Sequence, residues 1–271
     1  MWLTLSLALV SVLFVWLPWK TALLLVVAYT LYSPTVWHEL RRKNTMFSWL
    51  RTKHCNLSYT GNVQLLHEQK ARIFVLHPHG VHCVGAVLLS SDPALTHVRV
   101  AGTSILFWLP LIKEFCVWGN AVPCDRKSLQ TQLKNNTPVM LYPGGLNEIP
   151  GAHFLRQNDD ELHLSRTGFI ALAMEQEVEI VPCWVDGETE LYTVYHPWPA
   201  LQQLCYRFFR YPWPLFSWGW HWVPFLPKSK TLTIHIGTAI PTVKTGSLAV
   251  YHTQYQSAIR KLKKHYGPAG K

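Results

Sequence analysis

Two short loops hold most of the side chains able to do chemistry. The first is His77-Pro78-His79-Gly80, continuing through Val81 and His82 to Cys83. An imidazole with a pKa near ~6.5 can take a proton from a hydroxyl at neutral pH. Pro78 stiffens the turn, and the apolar run before it (RIFVL, residues 72–76) would present that turn at a strand end. His77 and His79 are both general-base candidates, and residue type alone does not choose between them. A single histidine is more often a satisfied structural residue, but two within four positions on a rigid turn shift the balance. A rival reading makes His77, His79, His82 and Cys83 metal ligands; no carboxylate or second cysteine pair joins them at ligand spacing, so no metal is assigned.

The second loop is Tyr142-Pro143-Gly144-Gly145-Leu146-Asn147-Glu148. Gly144 and Gly145, like Gly80 in the first loop, can bare backbone N–H groups to a phosphate or a developing oxyanion. A tight turn is the plainer account of Gly-Gly. Glu148 is suited to orienting an imidazole, although an isolated Glu is usually a solvated surface residue. Arg126, in Cys124-Asp125-Arg126-Lys127, can hold a phosphate, a role most lone arginines do not have.

These loops need strands behind them. Short β-rich runs at residues 72–76, 98–101, 138–142, 178–184 and 231–236 alternate with helical patterns at 105–115, 127–133, 165–175 and 247–265. The last of these places Leu248, Tyr251, Tyr255, Ala258 and Leu262 on one face. Alternation of this kind predicts an α/β fold, with a largely parallel or mixed central sheet flanked by helices. Sites in such sheets lie at the carboxyl ends of strands, where both loops fall. No repeat or linker divides residues 71–271, which read as one domain.

Residues 1–33 contain one charge, Lys20, beside Pro18 and Trp19. They are long enough for one span of ~20 residues, or for a re-entrant hairpin broken at the proline. A cleaved signal peptide fits less well, because no basic segment precedes the apolar stretch and it resumes after Lys20. Arg41, Arg42, Lys43, Arg51 and Lys53 make residues 34–70 a basic juxtamembrane segment and set the rest on the cytosolic side. Six cysteines with no C-x-x-C pair read as reduced thiols. Charged residues are only 15% of the chain, against a usual ~25%, which argues against disorder and against an ordinary soluble enzyme. Residues 206–227 hold four Trp, four Phe and two Tyr broken by prolines, and read as an aromatic belt resting in the head-group zone. The net charge of +10 suits an anionic partner; a nucleic acid would rest on charge alone and has no motif behind it.

Taken in order, the blocks resemble the type-2 diacylglycerol acyltransferase family, which includes monoacylglycerol acyltransferases and wax synthases. HPHG at residues 77–80, the stretch 109–133 running into Arg126, GGLNE at 144–148, the R-x-G-F and V-P…G-E-x-E blocks within 166–192, and the closing G-x-x-I-P within 226–241 all match. The wider glycerolipid acyltransferase superfamily places an Asp five residues after its histidine, where this chain has His82. The resemblance implies an acyl-CoA-dependent O-acyltransferase, foremost one making triacylglycerol from diacylglycerol. The alternatives are a monoacylglycerol, wax-alcohol or lysophospholipid acceptor, or a non-catalytic lipid-binding membrane protein. It implies His77 or His79 as base, Glu148 as its partner, Gly80, Gly144 and Gly145 for the oxyanion, and Arg126 with Arg166 for acyl-CoA phosphates. No cofactor is implied beyond acyl-CoA as co-substrate. The partners implied are the lipid bilayer and a lipid acceptor, with an oligomer compatible. The location implied is the cytosolic face of the endoplasmic reticulum membrane, or a lipid droplet.

Overall fold

The structure is a computed structural model that describes residues 11, 19–31, 45–109, 112–155, 162–209, 211–223 and 226–267. Its strands are β1 (Ser58–Gly61), β2 (Arg72–His77), β3 (Arg99–Gly102), β4 (Ala121–Pro123), β5 (Val139–Leu141), β6 (Glu179–Asp186), β7 (Thr193–Tyr195), β8 (Phe216–Trp218) and β9 (Thr233–Ile236). Seven form one mixed sheet in the order β1-β9-β6-β2-β5-β3-β4. Strands β6, β2, β5, β3 and β4 run parallel to one another, whereas β9 is antiparallel to β6 and parallel to β1. The remaining pair, β7 and β8, makes a separate hairpin. The helices are α1 (Trp19–Leu31), α2 (Thr45–Trp49), α3 (Gln64–His67), α4 (Val84–Ser90), α5 (Ile112–Trp118), α6 (Arg126–Lys134), α7 (Gly168–Gln176), α8 (Pro199–Phe209) and α9 (Leu248–Tyr266).

Strand β2 shows why the sheet is covered on both faces. All six of its residues are buried, and a strand turns successive side chains to opposite sides. Phe74 and Leu76 join the core under α4 with Leu88 and Leu89. Ile73 and Val75 join the other core, with Leu129 and Leu133 of α6, Ile170 and Leu172 of α7, and Tyr255 and Ile259 of α9. Each of these aliphatic or aromatic side chains contributes ~1.5–3 kcal/mol by leaving water, so the two-sided core dominates the stability of this strand. Its first residue, Arg72, is buried as well, and its guanidinium is held by Leu65 O, Glu68 and Glu179. On α9 the buried anchors are Tyr255 and Ile259; Leu248, on the expected apolar face, is exposed.

The five expected strands are present, and β1, β4 and the hairpin are additions to them. Strand β1, from the 34–70 segment, pairs with β9 through Ser58–Thr233 to Gly61–Ile236. The helix expected over 105–115 is instead a 3-10 segment, Ser104–Trp108, followed by α5. The sequence carries Pro110 between them, and a proline cannot continue a helical ladder. Among the described residues no helix is long and apolar enough to cross a membrane. Helix α1, with 13 residues, reaches only ~20 Å. The rest of the expected anchor, residues 1–10, 12–18 and 32–33, lies outside the described residues.

Candidate active site

Because β2, β4, β5 and β6 run parallel, their carboxyl ends fall on one edge of the sheet. From that edge β2 delivers the histidine loop, β5 the Gly144-Gly145 loop, and β6 a loop beginning Gly187-Glu188.

Glu148 closes a 3-10 turn, Gly145–Glu148, and its carboxylate is fully buried. Oε1 accepts from His77 Nδ1 at 2.6 Å and from the His163 N–H at 3.0 Å. Oε2 accepts from the His79 N–H at 3.0 Å. A charged acceptor with three donors is stable in a dry site; an unpaired one is not. Gly144 is required here for space, since a Cβ would lie 1.9 Å from the Glu148 carboxyl carbon. Glu148 thus orients the ring of His77 and the backbone of His79.

The two histidines are not equivalent. His77 has no exposure, and its Nε2 is bonded to the hydroxyl of Tyr255 on α9, so both ring nitrogens are engaged inside the protein. His79 is half-buried at the edge, with its ring against Tyr142. Its Nδ1–H donates to Gly80 O at 2.9 Å, which fixes the tautomer and leaves Nε2 with the lone pair. Burial is the largest influence on this imidazole and pulls its pKa below the ordinary value, helped by the charges of Arg166 and His77 and opposed by the Gly80 bond and Glu148. Nε2 faces Cys83 Sγ at 3.1 Å, so His79 is tied only within its own loop, whereas His77 is tied across the core.

Glu188, which the sequence reading passed over as a site residue, closes the loop from the other side. It is buried, and its oxygens accept the N–H groups of Val84 at 2.7 Å and Gly85 at 2.8 Å. Burial pushes its carboxyl up to about 7, against the pull of those two bonds. Gly80, at φ +62°, passes so close that a Cβ there would meet Glu188 Cγ at 2.8 Å. An acidic residue immediately beyond the Gly that ends a long buried strand was the available signal.

The arginines separate. The Arg166 guanidinium lies 3.0 Å from the position a Cβ on Gly145 would take, and its charge reaches His79. Arg126 starts α6 and pairs with Glu175 of α7, and among the described residues no hydrogen bond or ion pair joins it to the histidine loop. His82 turns away too, bonding Ser217 on β8 at 3.2 Å with its ring against Tyr192, and burial pushes its pKa down to about 4. Among the described residues no three His, Cys, Asp or Glu side chains converge as metal ligands.

A family model described as diacylglycerol acyltransferase matches residues 11–268. The chain belongs to that family. It is 25% identical over 261 residues to the human acyl-CoA wax alcohol acyltransferase 2, covering 82% of this chain and 74% of that one. It is 26% identical over 228 residues to diacylglycerol O-acyltransferase 2 of Danio rerio, covering 72% of this chain and 60% of the relative. Among solved structures it is similar to the 1-acyl-sn-glycerophosphate acyltransferase PlsC of Thermotoga maritima. That likeness has a TM-score of 0.51 and 13% identity, over 88% of this chain and 85% of that one, and it bears on the fold alone. In this diacylglycerol acyltransferase family member, then, the HPHG block holds two histidines in different settings: one wired into the core, one at the strand edge and bonded within its own loop.

Proposed function

We propose that the protein is a membrane-associated, acyl-CoA-dependent O-acyltransferase whose acceptor is diacylglycerol and whose product is triacylglycerol. The observation that carries this reading is His79, whose Nδ1–H is fixed on Gly80 O while Nε2 keeps its lone pair. Nε2 takes the acceptor's hydroxyl proton as that oxygen attacks the acyl thioester carbonyl, and returns the proton to the departing thiolate. Glu148 and His77 act as positioning residues that hold the loop, much as the acid does in a triad. The N–H groups of Val84 and Gly85 are spent on Glu188, so the oxyanion falls to those of Gly80, Gly144 and Gly145. Arg166 binds a phosphate of acyl-CoA, and Arg126, on an exposed pair worth little by itself, can join it. Acyl-CoA enters as co-substrate and no resident cofactor takes part.

A second acceptor class has a specific observation behind it, the similarity to a wax alcohol acyltransferase. Expression in cells unable to make storage lipid, followed by lipid class analysis, separates the two. Triacylglycerol accumulation is expected, wax ester would move the assignment to fatty alcohols, and the absence of both would refute both acceptors.

The bilayer reading is supported by where apolar side chains stay exposed. On α1, Trp19, Leu23, Leu24, Leu25 and Val27 face outward. On α8, Leu201, Leu204 and Phe208 stand at helical spacing, and Trp213, Phe216, Trp220 and Trp222 follow, with Trp222 74% exposed. Arg207 and Lys228 flank this stretch, which suits an anionic head-group zone at the cytosolic face of the endoplasmic reticulum or a lipid droplet. Replacing Phe208, Trp213 and Trp222 with Ser should reduce flotation with phosphatidylserine-containing vesicles. At ~60 Å² lost per ring and ~25 cal/mol/Å², each change is worth about tenfold in partition. Unchanged flotation would refute the bilayer role of this stretch. Substitution is the cleaner test than deletion, because Leu215 and Ser217 are buried and Pro214 O accepts from Gln202.

A further inference from the structure

One neighbour of His79 has no role in the scheme above. Cys83 Sγ lies 3.1 Å from His79 Nε2, the nitrogen that receives the proton. With Nδ1–H committed to Gly80 O, the thiol hydrogen is the one that can fill this bond, so thiol, imidazole and carbonyl stand as nucleophile, base and orienter. Cys83 is held there by a left-handed backbone, φ +50°, at the residue before α4. Burial, then the charges of Glu188 and Glu148, push its thiol well above the ordinary value, so it forms no thiolate unaided and needs the base it touches.

A second, separate group points to an acyl ligand. Tyr142 is nine-tenths buried, its ring lies edge-on to His79 at 5.4 Å, and among the described residues its hydroxyl has no hydrogen-bond partner. The Ala86 N–H and the charges of Glu188 and Cys83 act on that oxygen, yet none reaches hydrogen-bonding geometry with it. Buried hydroxyls are ordinarily satisfied. An acyl carbonyl held on Cys83 is an acceptor of the kind this O–H lacks.

We propose that Cys83 accepts the acyl group from acyl-CoA as a thioester before the lipid hydroxyl receives it. The proposal rests on the acyl-CoA reading above and deepens it. In the first half, the thiol proton moves to His79 Nε2, sulfur bonds to the acyl carbon, the carbon–sulfur bond to CoA breaks, and the CoA thiolate takes the proton. In the second half, the lipid hydroxyl gives its proton to the same Nε2 and its oxygen bonds to the acyl carbon. The bond to Cys83 breaks, and its thiolate takes the proton back. One thioester replaces another, so no oxidant, reductant or energy source is required.

The test uses the full chain in membranes or detergent, given radiolabelled acyl-CoA with no acceptor and quenched in acid. Label is expected on the protein, released by neutral hydroxylamine and transferable to diacylglycerol in a chase. Labelled CoA is expected to exchange into acyl-CoA under the same conditions. Cys83→Gly suits the positive φ and so keeps the loop. It should lose both the label and the exchange, and slow net transfer on the order of tenfold or more. Wild-type protein that acylates lipid, takes no label, exchanges no CoA and is matched in rate by Cys83→Gly overturns the two-step route while leaving the acyltransferase reading in place. Wild-type protein that acylates no lipid and takes no label overturns both.

Discussion

Replacing His79 with Ala should lower acyl transfer by ~10²–10⁴-fold with little change in melting temperature, because the change removes a half-buried ring from a loop still held at both ends. Its Nδ1 bond runs to its own neighbour Gly80 and its Nε2 contact to Cys83 four residues on, so the hydrogen bonds lost lie within its own loop. Those ends are secured by Glu148 on the His79 N–H and by Glu188 on the N–H groups of Val84 and Gly85. The base works only when neutral, and burial pulls its pKa below the ordinary imidazole value. Lowering that value keeps the base form populated at lower pH, so the acid limb of kcat/KM should fall below pH ~6.5, not at or above it. Radiolabelled acyl transfer measured across pH checks both statements. His77→Ala should behave differently, losing folded protein as well as activity, because it takes from Glu148 its one side-chain donor, takes from the Tyr255 hydroxyl its partner, and leaves a cavity in the core. Equal melting temperatures for the two variants, or near-normal transfer by His79→Ala, would refute this division of labour.

The second large effect is expected at Glu148, and here stability and activity should fall together. Glu148→Ala leaves His77 Nδ1–H, the His79 N–H and the His163 N–H without their acceptor in a buried site. Breaking a buried charged cluster of this kind costs ~3–5 kcal/mol. For a domain of this size each kcal/mol is worth ~2–4 °C, so a drop in melting temperature of roughly 6–20 °C is expected by calorimetry. Glu148→Gln tests the charge separately from the shape. Its amide keeps one acceptor oxygen but turns a donor towards N–H groups, so it should restore part of the volume and little of the stability. A melting temperature within 2 °C of the wild type for Glu148→Ala, on the ~2 °C scale of a single kcal/mol, would show that the carboxylate does not hold the loop.

The sequence was most legible where periodicity and burial coincide. Residues such as Ile73, Phe74, Val75 and Leu76 form an apolar run that can only be an interior strand, and the strand ends then place both loops on one edge. The pairing of Glu148 with the histidine loop was not legible from that pattern; residue type only suited it to the task, and the family resemblance implied it. Other features turn on contacts distant in the chain. His77 and His79 look alike in sequence, and only Tyr255, 178 residues on, shows that the first is sealed into the core. Residue spacing favours Arg126 and brings in Arg166 only through the resemblance, yet α7 supplies Glu175 as the partner of Arg126 while Arg166 stands beside Gly145. Strand β1 (Ser-Tyr-Thr-Gly) and the three-residue β4 carry too little apolar pattern to be read locally; they exist because β9 and β3 offer them an edge. Glu188 stood in the G-E-x-E block without a site role, because it serves backbone N–H groups, which leave no trace in side-chain spacing.

The long reach from His77 to Tyr255, together with the pairing of Ser58 with Thr233, has a consequence for how the protein is made. Both loops leave the ribosome well before the residues that complete them. At ~5–20 residues per second, the gap between His77 and Tyr255 lasts roughly 10–35 s. During that time β1 lacks β9, and His77 lacks the hydroxyl that seals its second nitrogen. A chain stopped just after Glu188 would hold both histidines and both buried carboxylates but would lack the helix bearing Tyr255. The reactive edge is therefore completed only when α9 has been made, so that acyl transfer is expected only from chains translated through Tyr255.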